Sequence, residues 1–211
     1  MFDPYEIRKT PQERPWYRPA LDMIKHVPAG KALDLGCGLA EFSQKLKQKG
    51  FEVTCVDGSE KYVQNAHELG FKALRHDFNE PFPFEDEEFD LVVSLEVIEH
   101  VEKAEQMVRE IYRMLKPRGY ALISTPNYAF AGVRLKMLLG KSIPGEGYHF
   151  RFFTRTTLKK LVEKTGFSIM RENGISFLPF YKMTKNVPRA IRIPVWKKLL
   201  ASKTILLVQK P

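Results

Sequence analysis

The stretch that most constrains the fold is residues 31–41, which read Lys-Ala-Leu-Asp-Leu-Gly-Cys-Gly-Leu-Ala-Glu. Its first half is a short apolar run, which is typical of a buried parallel strand. Gly36 and Gly38 follow at once, and residues 40–49 then have a helical pattern. A strand, a glycine turn and a helix in this order form the first unit of a nucleotide-binding α/β fold.

Two positions indicate which kind of nucleotide such a turn would bind. The dinucleotide fingerprint has a third glycine three residues after the second, and this chain has Glu41 there, whose carboxylate would repel a pyrophosphate. The acidic residue that accepts hydrogen bonds from ribose hydroxyls, about 20 residues further on in such folds, is present as Asp57. The pattern therefore favours an adenosine cofactor without phosphates, such as S-adenosylmethionine.

The turn resembles the first motif of the class I S-adenosylmethionine-dependent methyltransferases, Asp/Glu-x-Gly-x-Gly-x-Gly, which is present as residues 34–40. Ala40 replaces the last glycine and removes one methyl group of clearance. The resemblance covers roughly residues 32–177, and beyond the turn it rests on Asp57, Asp77, residues 96–100, 115–119 and 124–127. The run Leu95-Glu96-Val97-Ile98-Glu99-His100-Val101 is most similar to the ubiquinone-biosynthesis type of O-methyltransferase.

The remaining chain alternates short apolar strands with amphipathic helices, one of which we predict over residues 101–116. This alternation predicts an α/β, Rossmann-like, doubly wound fold whose mostly parallel sheet carries helices on both faces. We expect seven strands, the last one antiparallel. All 211 residues are expected to form a single methyltransferase domain, in which segments 126–153 and 181–202 cover the substrate side.

Ligands of doubly wound sheets bind beyond the carboxyl ends of the strands. The resemblance places nine cofactor-binding residues there: Asp34, Gly36, Cys37, Gly38, Asp57, Gly58, Asp77, Phe78 and Leu95. Asp57 would bind both ribose hydroxyls, and Asp77 the adenine amino group with Phe78 beside the ring. A turn or capping role is the alternative for Asp77. Tyr17 and Arg18 are weaker candidates for binding the carboxylate of the cofactor.

Methyl transfer to a hydroxyl requires alignment of the reacting groups and a proton acceptor. His100 and His149 are the predicted catalytic residues, with a structural role as the alternative for His149. Glu96, Glu99 and His100 stand at i, i+3 and i+4, and on a helical turn they would share a face. Carboxylates and imidazole can bind Mg²⁺ or Mn²⁺. We expect S-adenosylmethionine as the cofactor, with a divalent cation as the less favoured addition.

Composition and charge indicate the cellular compartment and the kind of partner. The chain has two cysteines, no apolar run of about 20 residues and no apolar secretory core near its N-terminus, which predicts a cytoplasmic protein. Eight of the nine net positive charges lie after Glu172, the last acidic residue. The basic residues in 181–202 alternate with apolar ones, which is typical of a lid or of peripheral contact with an anionic membrane.

The predicted function is transfer of a methyl group from S-adenosylmethionine to a small-molecule or lipid-like acceptor, at oxygen. One alternative is an RNA methyltransferase that uses the basic C-terminal stretch to bind phosphates. The apolar residues interleaved with the basic ones make nucleic acid the less favoured partner. The other alternative is a non-catalytic subunit that binds S-adenosylmethionine.

Overall fold

A seven-stranded sheet forms the centre of the protein in a computed structural model that describes residues 13–143, 145–175 and 200–211. The strands are β1 (Lys31–Leu35), β2 (Glu52–Asp57), β3 (Lys72–Arg75), β4 (Phe89–Leu95), β5 (Leu115–Pro126), β6 (Ser168–Ile175) and β7 (Lys203–Gln209). Their order across the sheet is β3-β2-β1-β4-β5-β7-β6. Strands β1 to β5 are parallel, and β7 is antiparallel to both of its neighbours.

Helices cover both faces of this sheet. They are α1 (Tyr17–Met23), α2 (Glu41–Gln48), α3 (Glu60–Glu68), α4 (Ala104–Met114), α5 (Ala131–Leu138), α6 (Arg155–Thr165) and a 3-10 turn at Ile98–His100. Because successive strand residues point to opposite faces, Ala32 packs in one hydrophobic core with α1, α2 and α3, whereas Leu33 packs in a second core with α4 and α6. The predicted Rossmann-like fold with an antiparallel last strand is confirmed.

Local sequence sets the ends of α6. Thr154 accepts a hydrogen bond from the Thr157 amide, and the Thr157 hydroxyl accepts one from the Thr154 amide in return. Gly166 ends the helix in the left-handed region, at φ +111°. Both termini suit the residue types, because a threonine cap and a terminal glycine satisfy the free backbone groups of a helix.

The predicted helix over residues 101–116 is too long at both ends. The chain is already extended at Leu115, which pairs with Phe89 of β4. Pro117 disfavours a helical conformation for the residue before it, and Arg118 takes a positive φ of 64° where the pairing register shifts. The apolar residues 120–125 therefore form the second part of a longer strand, β5.

Two further sequence-based expectations concern membrane-spanning helices and the two predicted cover segments. Within the ranges that the structure describes, no helix combines the length and the apolar character needed to cross a bilayer. Most of the predicted cover segment 181–202, including its basic residues up to 199, lies outside the described residues. The segment 126–153 is described except for residue 144, and it borders the cleft considered next.

Candidate active site

A cleft of about 1880 Å³ opens at the edge of the sheet where the parallel strands end. All nine predicted cofactor-binding residues line it, together with His100, His149, Glu96 and Glu99. Sites for small molecules usually measure roughly 300–1,000 Å³. The cleft is therefore large enough to hold a cofactor and a second molecule side by side.

The glycine turn after β1 is held against the end of β2. The amides of Gly36 and Cys37 both donate to the carbonyl of Val56, at 2.7 and 3.2 Å. Gly36 has a φ of +75°, and a Cβ added there would lie 2.3 Å from Val97 Cγ2. Glycine is therefore required at this position both by its backbone conformation and by the close approach of Val97.

Ala40 occupies the position of the last glycine in the motif. It takes the left-handed conformation, with φ 56° and ψ 24°, and is fully buried as the N-cap of α2. A residue with a Cβ is disfavoured in this region. The departure from the motif therefore affects the backbone conformation of the turn as well as the clearance above it.

Asp57 fastens the glycine turn to β2. Its Oδ2 accepts a hydrogen bond from the Gly38 amide and its Oδ1 accepts one from the Ser59 amide, both at 2.9 Å. Burial raises the pKa of Asp57, while these backbone donors act in the opposite direction. Each carboxylate oxygen can accept more than one hydrogen bond, so Asp57 can hold the turn and still bind a ligand.

Asp34 is the second buried carboxylate of the cleft. Its Oδ2 accepts a hydrogen bond from the Ser43 hydroxyl at 2.6 Å, which links β1 to α2. Burial raises the pKa of Asp34 to about 6, against the lowering effect of Ser43 and with a smaller raising effect from Asp57. The cleft thus presents two buried acidic groups beside the turn.

The residues predicted near an adenine ring lie at the same edge. Asp77 is exposed, and its Oδ1 accepts hydrogen bonds from the amide and the side chain of Asn79, at 2.9 and 3.0 Å. This is the turn role that was the alternative for Asp77. The ring of Phe78 packs 5.6 Å from that of Phe82, between centroids, and also lines the cleft.

A cluster of titratable side chains forms the other part of the cleft. The amides of Phe150 and Arg151 donate to the carbonyl of Glu99, at 2.9 and 3.2 Å. This pairing brings His149 to His100, with ring centroids 4.6 Å apart in an edge-to-face arrangement. One ligand-type atom from each of Glu99, His100 and His149 lies within 4.8 Å of the others.

A backbone carbonyl determines the tautomer of His100. Its Nδ1 lies 3.3 Å from the carbonyl oxygen of Tyr148, which can only accept, so Nδ1 carries the proton and Nε2 keeps a free lone pair. Burial lowers the pKa of His100, against the effects of this hydrogen bond and of the Glu96 charge. His100 is therefore a neutral imidazole at pH 7, with Nε2 as its acceptor.

His149 is held by Tyr128 and by a glycine. Its Nδ1 lies 2.7 Å from the Tyr128 hydroxyl. Burial, with smaller contributions from the nearby His100 and Lys203, lowers the pKa of His149 to about 4. A Cβ added to Gly145, which has a φ of +83°, would lie 2.1 Å from His149 Nδ1. Only glycine at 145 leaves room for this position of the ring.

Glu99 is nearly inaccessible, with 1% of its surface exposed. Its Oε2 accepts a hydrogen bond from the Thr125 hydroxyl at 3.1 Å. Burial raises the pKa of Glu99 to about 8, and the neighbouring Glu96 charge raises it as well. Glu99, His100 and His149 are consequently all uncharged at pH 7 without a bound cation.

The predicted shared face of Glu96, Glu99 and His100 does not form. The 3-10 turn covers only Ile98–His100, and Glu96 has a positive φ of 61° before it. The reason is that the Glu96 amide still donates to Ser124 of the adjacent strand, so the chain turns later than the i, i+3, i+4 spacing assumes. The Glu96 carboxylate pairs with Lys203, and His149 takes its place in the cluster.

Three residues of the cleft make contacts that were not predicted from the sequence. Lys203 lies with its Nζ 4.3 Å above the centroid of the Trp16 ring, and both residues line the cleft. The Tyr17 hydroxyl donates to Glu41 at 2.8 Å, and Tyr17 lines the cleft. Arg18 is exposed and is not part of the cleft lining.

The contact partners of the two predicted catalytic histidines were also missed. Tyr128 and Gly145 belong to the predicted cover segment, but nothing in their spacing indicates that they contact His149. A local signal for the glycine does exist, because Gly145 and Gly147 directly precede the pair Tyr148-His149. No local signal connects Lys203 to Glu96, because 107 positions separate them along the chain.

Comparison with known proteins identifies the family. Residues 13–172 match the family model described as a methyltransferase domain. The chain belongs to the class I S-adenosylmethionine-dependent methyltransferases. The chain is 30% identical over 169 residues to the ubiquinone biosynthesis O-methyltransferase of Azoarcus sp., and the match covers 72% of the chain and 70% of that relative.

Other matches are consistent with this family and with its fold. The chain is 26% identical over 156 residues to the ubiquinone biosynthesis O-methyltransferase of Rickettsia bellii, a match that covers 69% of the chain and 64% of that protein's length. A crystal structure of an S-adenosylmethionine-dependent methyltransferase from Mesorhizobium loti superposes with a TM-score of 0.71 at 17% identity, covering 92% of this chain and 97% of that one. This structural likeness shows the shared fold.

Proposed function

We propose that this methyltransferase transfers the methyl group of S-adenosylmethionine to a hydroxyl oxygen of a small-molecule or lipid-like acceptor. The observation that carries this proposal is the tautomer of His100. Its Nδ1 proton is committed to the Tyr148 carbonyl, and Nε2 is left as an acceptor in the same cleft as the glycine turn. A base of this kind is what methylation of a hydroxyl requires.

The chemistry of the turn fits the cofactor. When bound, S-adenosylmethionine supplies a methyl group on a positively charged sulfur. The buried carboxylates of Asp34 and Asp57 and the carbonyls of the glycine turn present negative charge and oxygen dipoles, which suit an ammonium and a sulfonium. We assign cofactor binding to the nine predicted residues, with Asp57 on the ribose and with Asp77 and Phe78 near the adenine.

On the acceptor side, His100 would accept the hydroxyl proton at Nε2. The lowered pKa of His100 keeps this atom unprotonated at neutral pH. His149 borders the same space, and Tyr128 holds its ring in place. These residues would contribute by positioning the hydroxyl and taking its proton.

The acceptor is proposed to be apolar in part. Tyr128, Phe130, Val133 and Phe150 line the cleft from the segment 126–153, which suits a phenol or another lipid-like molecule. The two relatives described above are named as O-methyltransferases, which supports oxygen as the acceptor atom. The RNA alternative depends on the basic stretch in 181–202, most of which lies outside the described residues.

The decisive experiment measures cofactor binding and methyl transfer in the wild type, and then repeats both with a single substitution. Calorimetry with S-adenosylmethionine and with NADH tests the cofactor, and tight binding of NADH would overturn the assignment. A panel of phenols, sugars, carboxylates and tRNA, scored by transfer of a labelled methyl group, then tests the acceptor. Transfer to tRNA alone would favour the RNA alternative, and transfer to nothing in the panel would favour the non-catalytic subunit.

The variant His100→Asn keeps a donor for the Tyr148 carbonyl and removes the acceptor at Nε2. We expect kcat to fall by about 10²–10⁴-fold with unchanged affinity for S-adenosylmethionine. His26→Asn is the matched control, because His26 is exposed and lies outside the cleft lining. A kcat of His100→Asn equal to that of the control would remove His100 as the base.

A divalent cation at Glu99, His100 and His149 is the competing role for this cluster. A bound cation would ionise Glu99 and bind the lone pairs of the two histidines, so it would replace general-base chemistry at His100. Activity that vanishes with a chelator and returns with Mg²⁺ or Mn²⁺ would favour the cation. Full activity in the chelator would leave His100 as the proton acceptor.

A further inference from the structure

The C-terminal part of α5 and the residues after it are exposed. After Val133, which is buried, every residue from 134 to 140 is exposed. Four of the eight large exposed apolar side chains in the described part of the chain lie in this short run, and Leu138 among them is 84% exposed. Soluble proteins rarely expose so many large apolar residues together unless the surface binds something.

The apolar side chains are arranged on a helical surface. Leu135, Leu138 and Leu139 stand at i, i+3 and i+4, which places them on one side of the helix and its C-terminal end. Phe150, a further exposed aromatic residue, lies on the neighbouring segment that borders the cleft. We call residues 134–141 the α5 tip.

The charge of the α5 tip is uniformly positive. Arg134, Lys136 and Lys141 alternate with its apolar residues, and the sequence contains no acidic residue from position 127 to position 145. Apolar side chains flanked by basic ones are typical of segments that insert into the interface of an anionic bilayer. Each basic residue near such a surface adds to the attraction.

We propose that the α5 tip is a docking surface for an anionic lipid bilayer. A protein partner is disfavoured by size, because the tip offers eight residues where a stable interface uses about 20–30 on each side. Its position also suits a bilayer, since Gly132, Val133 and Lys136 at the base of the tip line the cleft. Insertion of the tip places the mouth of the cleft at the lipid surface.

One consequence concerns the acceptor, and this part rests on the proposed function. A cleft that opens at the bilayer receives acceptors that partition into lipid without their passage through water. The bilayer itself is the docking partner, independent of which acceptor atom is methylated. The docking test therefore uses neither cofactor nor acceptor.

The experiment is flotation of the full chain with vesicles of phosphatidylglycerol and phosphatidylcholine, and with phosphatidylcholine alone. We expect binding to the anionic vesicles at low salt and release as the salt concentration rises. The triple variant Leu135→Ser, Leu138→Ser and Leu139→Ser should bind about a hundredfold more weakly. The double variant Arg134→Gln and Lys141→Gln should bind about 25-fold more weakly at low salt.

The matched control replaces exposed apolar residues elsewhere. Leu69, at the end of α3, and Met170, in β6, are 41% and 50% exposed. Leu69→Ser with Met170→Ser should leave flotation unchanged. Equal loss of binding in this control and in the triple variant would overturn the proposal, because the effect would then be one of general surface hydrophobicity.

Other occupants of the α5 tip give different results, each of which overturns the proposal. A lowered melting temperature of the triple variant would mean that part of this chain covers the leucines. A wild-type dimer that the triple variant converts to a monomer would make the tip a contact between copies. Flotation lost by Arg192→Gln, Lys197→Gln and Lys198→Gln but retained by the triple variant would assign the lipid contact to the C-terminal stretch.

Failure of docking and failure of the proposed function remain distinguishable. Calorimetry of the triple variant with S-adenosylmethionine should give the wild-type affinity, because none of its three leucines lines the cleft. Flotation with no methyl transfer to any acceptor would refute the proposed function alone. Transfer to a water-soluble phenol by a wild type that does not float would refute docking alone.

Discussion

Asp34→Asn is expected to stabilise the fold at neutral pH while it weakens cofactor binding. Asp34 is only 3% exposed, and the Ser43 hydroxyl is the hydrogen-bond donor at 2.6 Å from its carboxylate. Burial raises the pKa of Asp34 from 3.8 to about 6. At neutral pH the folded protein therefore holds an ionised carboxylate where a neutral group is favoured.

The magnitude and its pH window follow from the two pKa values. A tenfold change in proton affinity corresponds to about 1.4 kcal/mol, so the ionised carboxylate costs about 3 kcal/mol at neutral pH. The pKa of Asp34 is raised in the folded state. Relative to Asp34→Asn, the wild type therefore keeps its full stability below pH 3.8 and loses stability as the pH rises through about 6. The advantage of Asp34→Asn should grow over this interval and then level off.

Urea unfolding of both proteins between about pH 5 and pH 8 measures this difference. Ser43→Ala is the control of opposite sign, because it removes the hydrogen bond that lowers the pKa of Asp34 and should destabilise the fold most at high pH. Parallel stability curves for the wild type and Asp34→Asn would refute the reasoning. Calorimetry should show weaker binding of S-adenosylmethionine by the more stable variant, and equal affinity would remove Asp34 from the cofactor site.

The remaining predictions concern the glycine turn and the histidine pair. Asp57→Ala should weaken S-adenosylmethionine binding by about 1–3 kcal/mol in calorimetry, and unchanged affinity would exclude Asp57 from the site. Gly145→Ala should abolish methyl transfer with cofactor affinity retained, because its Cβ would lie 2.1 Å from His149 Nδ1; wild-type turnover would mean that this ring position is not required. Ala40→Gly should raise the free energy of unfolding by up to about 1 kcal/mol, because it removes a Cβ from a left-handed position, whereas Ala66→Gly inside α3 should lower it by about 1 kcal/mol. Urea unfolding that gives both variants the same sign would contradict the strain at position 40.

The gathering of the proposed cofactor-binding residues in one cleft could be predicted because its determinants are local. A strand, a glycine turn and a helix are adjacent in the chain, and parallel strands bring their carboxyl ends to one edge of the sheet. Asp34, Asp57, Asp77 and Leu95 each stand at or near a strand end, so the topology alone gathers them. All four line the cleft.

Boundaries were predicted less well where a distant strand decides them. The apolar pattern of α4 continues through Leu115, and helical periodicity alone gives no reason to stop there. Pairing with Phe89 of β4 draws Leu115 into the sheet. The hydrogen bonds that a central strand offers outweigh the small helix propensity of one residue.

The order of residues along the chain accounts for the α/β class, the glycine turn, the termini of α6 and the residues gathered at the carboxyl edge of the sheet. The contacts around the two histidines depend instead on long-range packing. His149 joins His100 because the amides of residues 150 and 151 bind the Glu99 carbonyl, and Lys203 meets Glu96 because β7 lies antiparallel to β5. Such contacts depend on how separate elements pack, and packing leaves no periodic trace in the residues that it brings together.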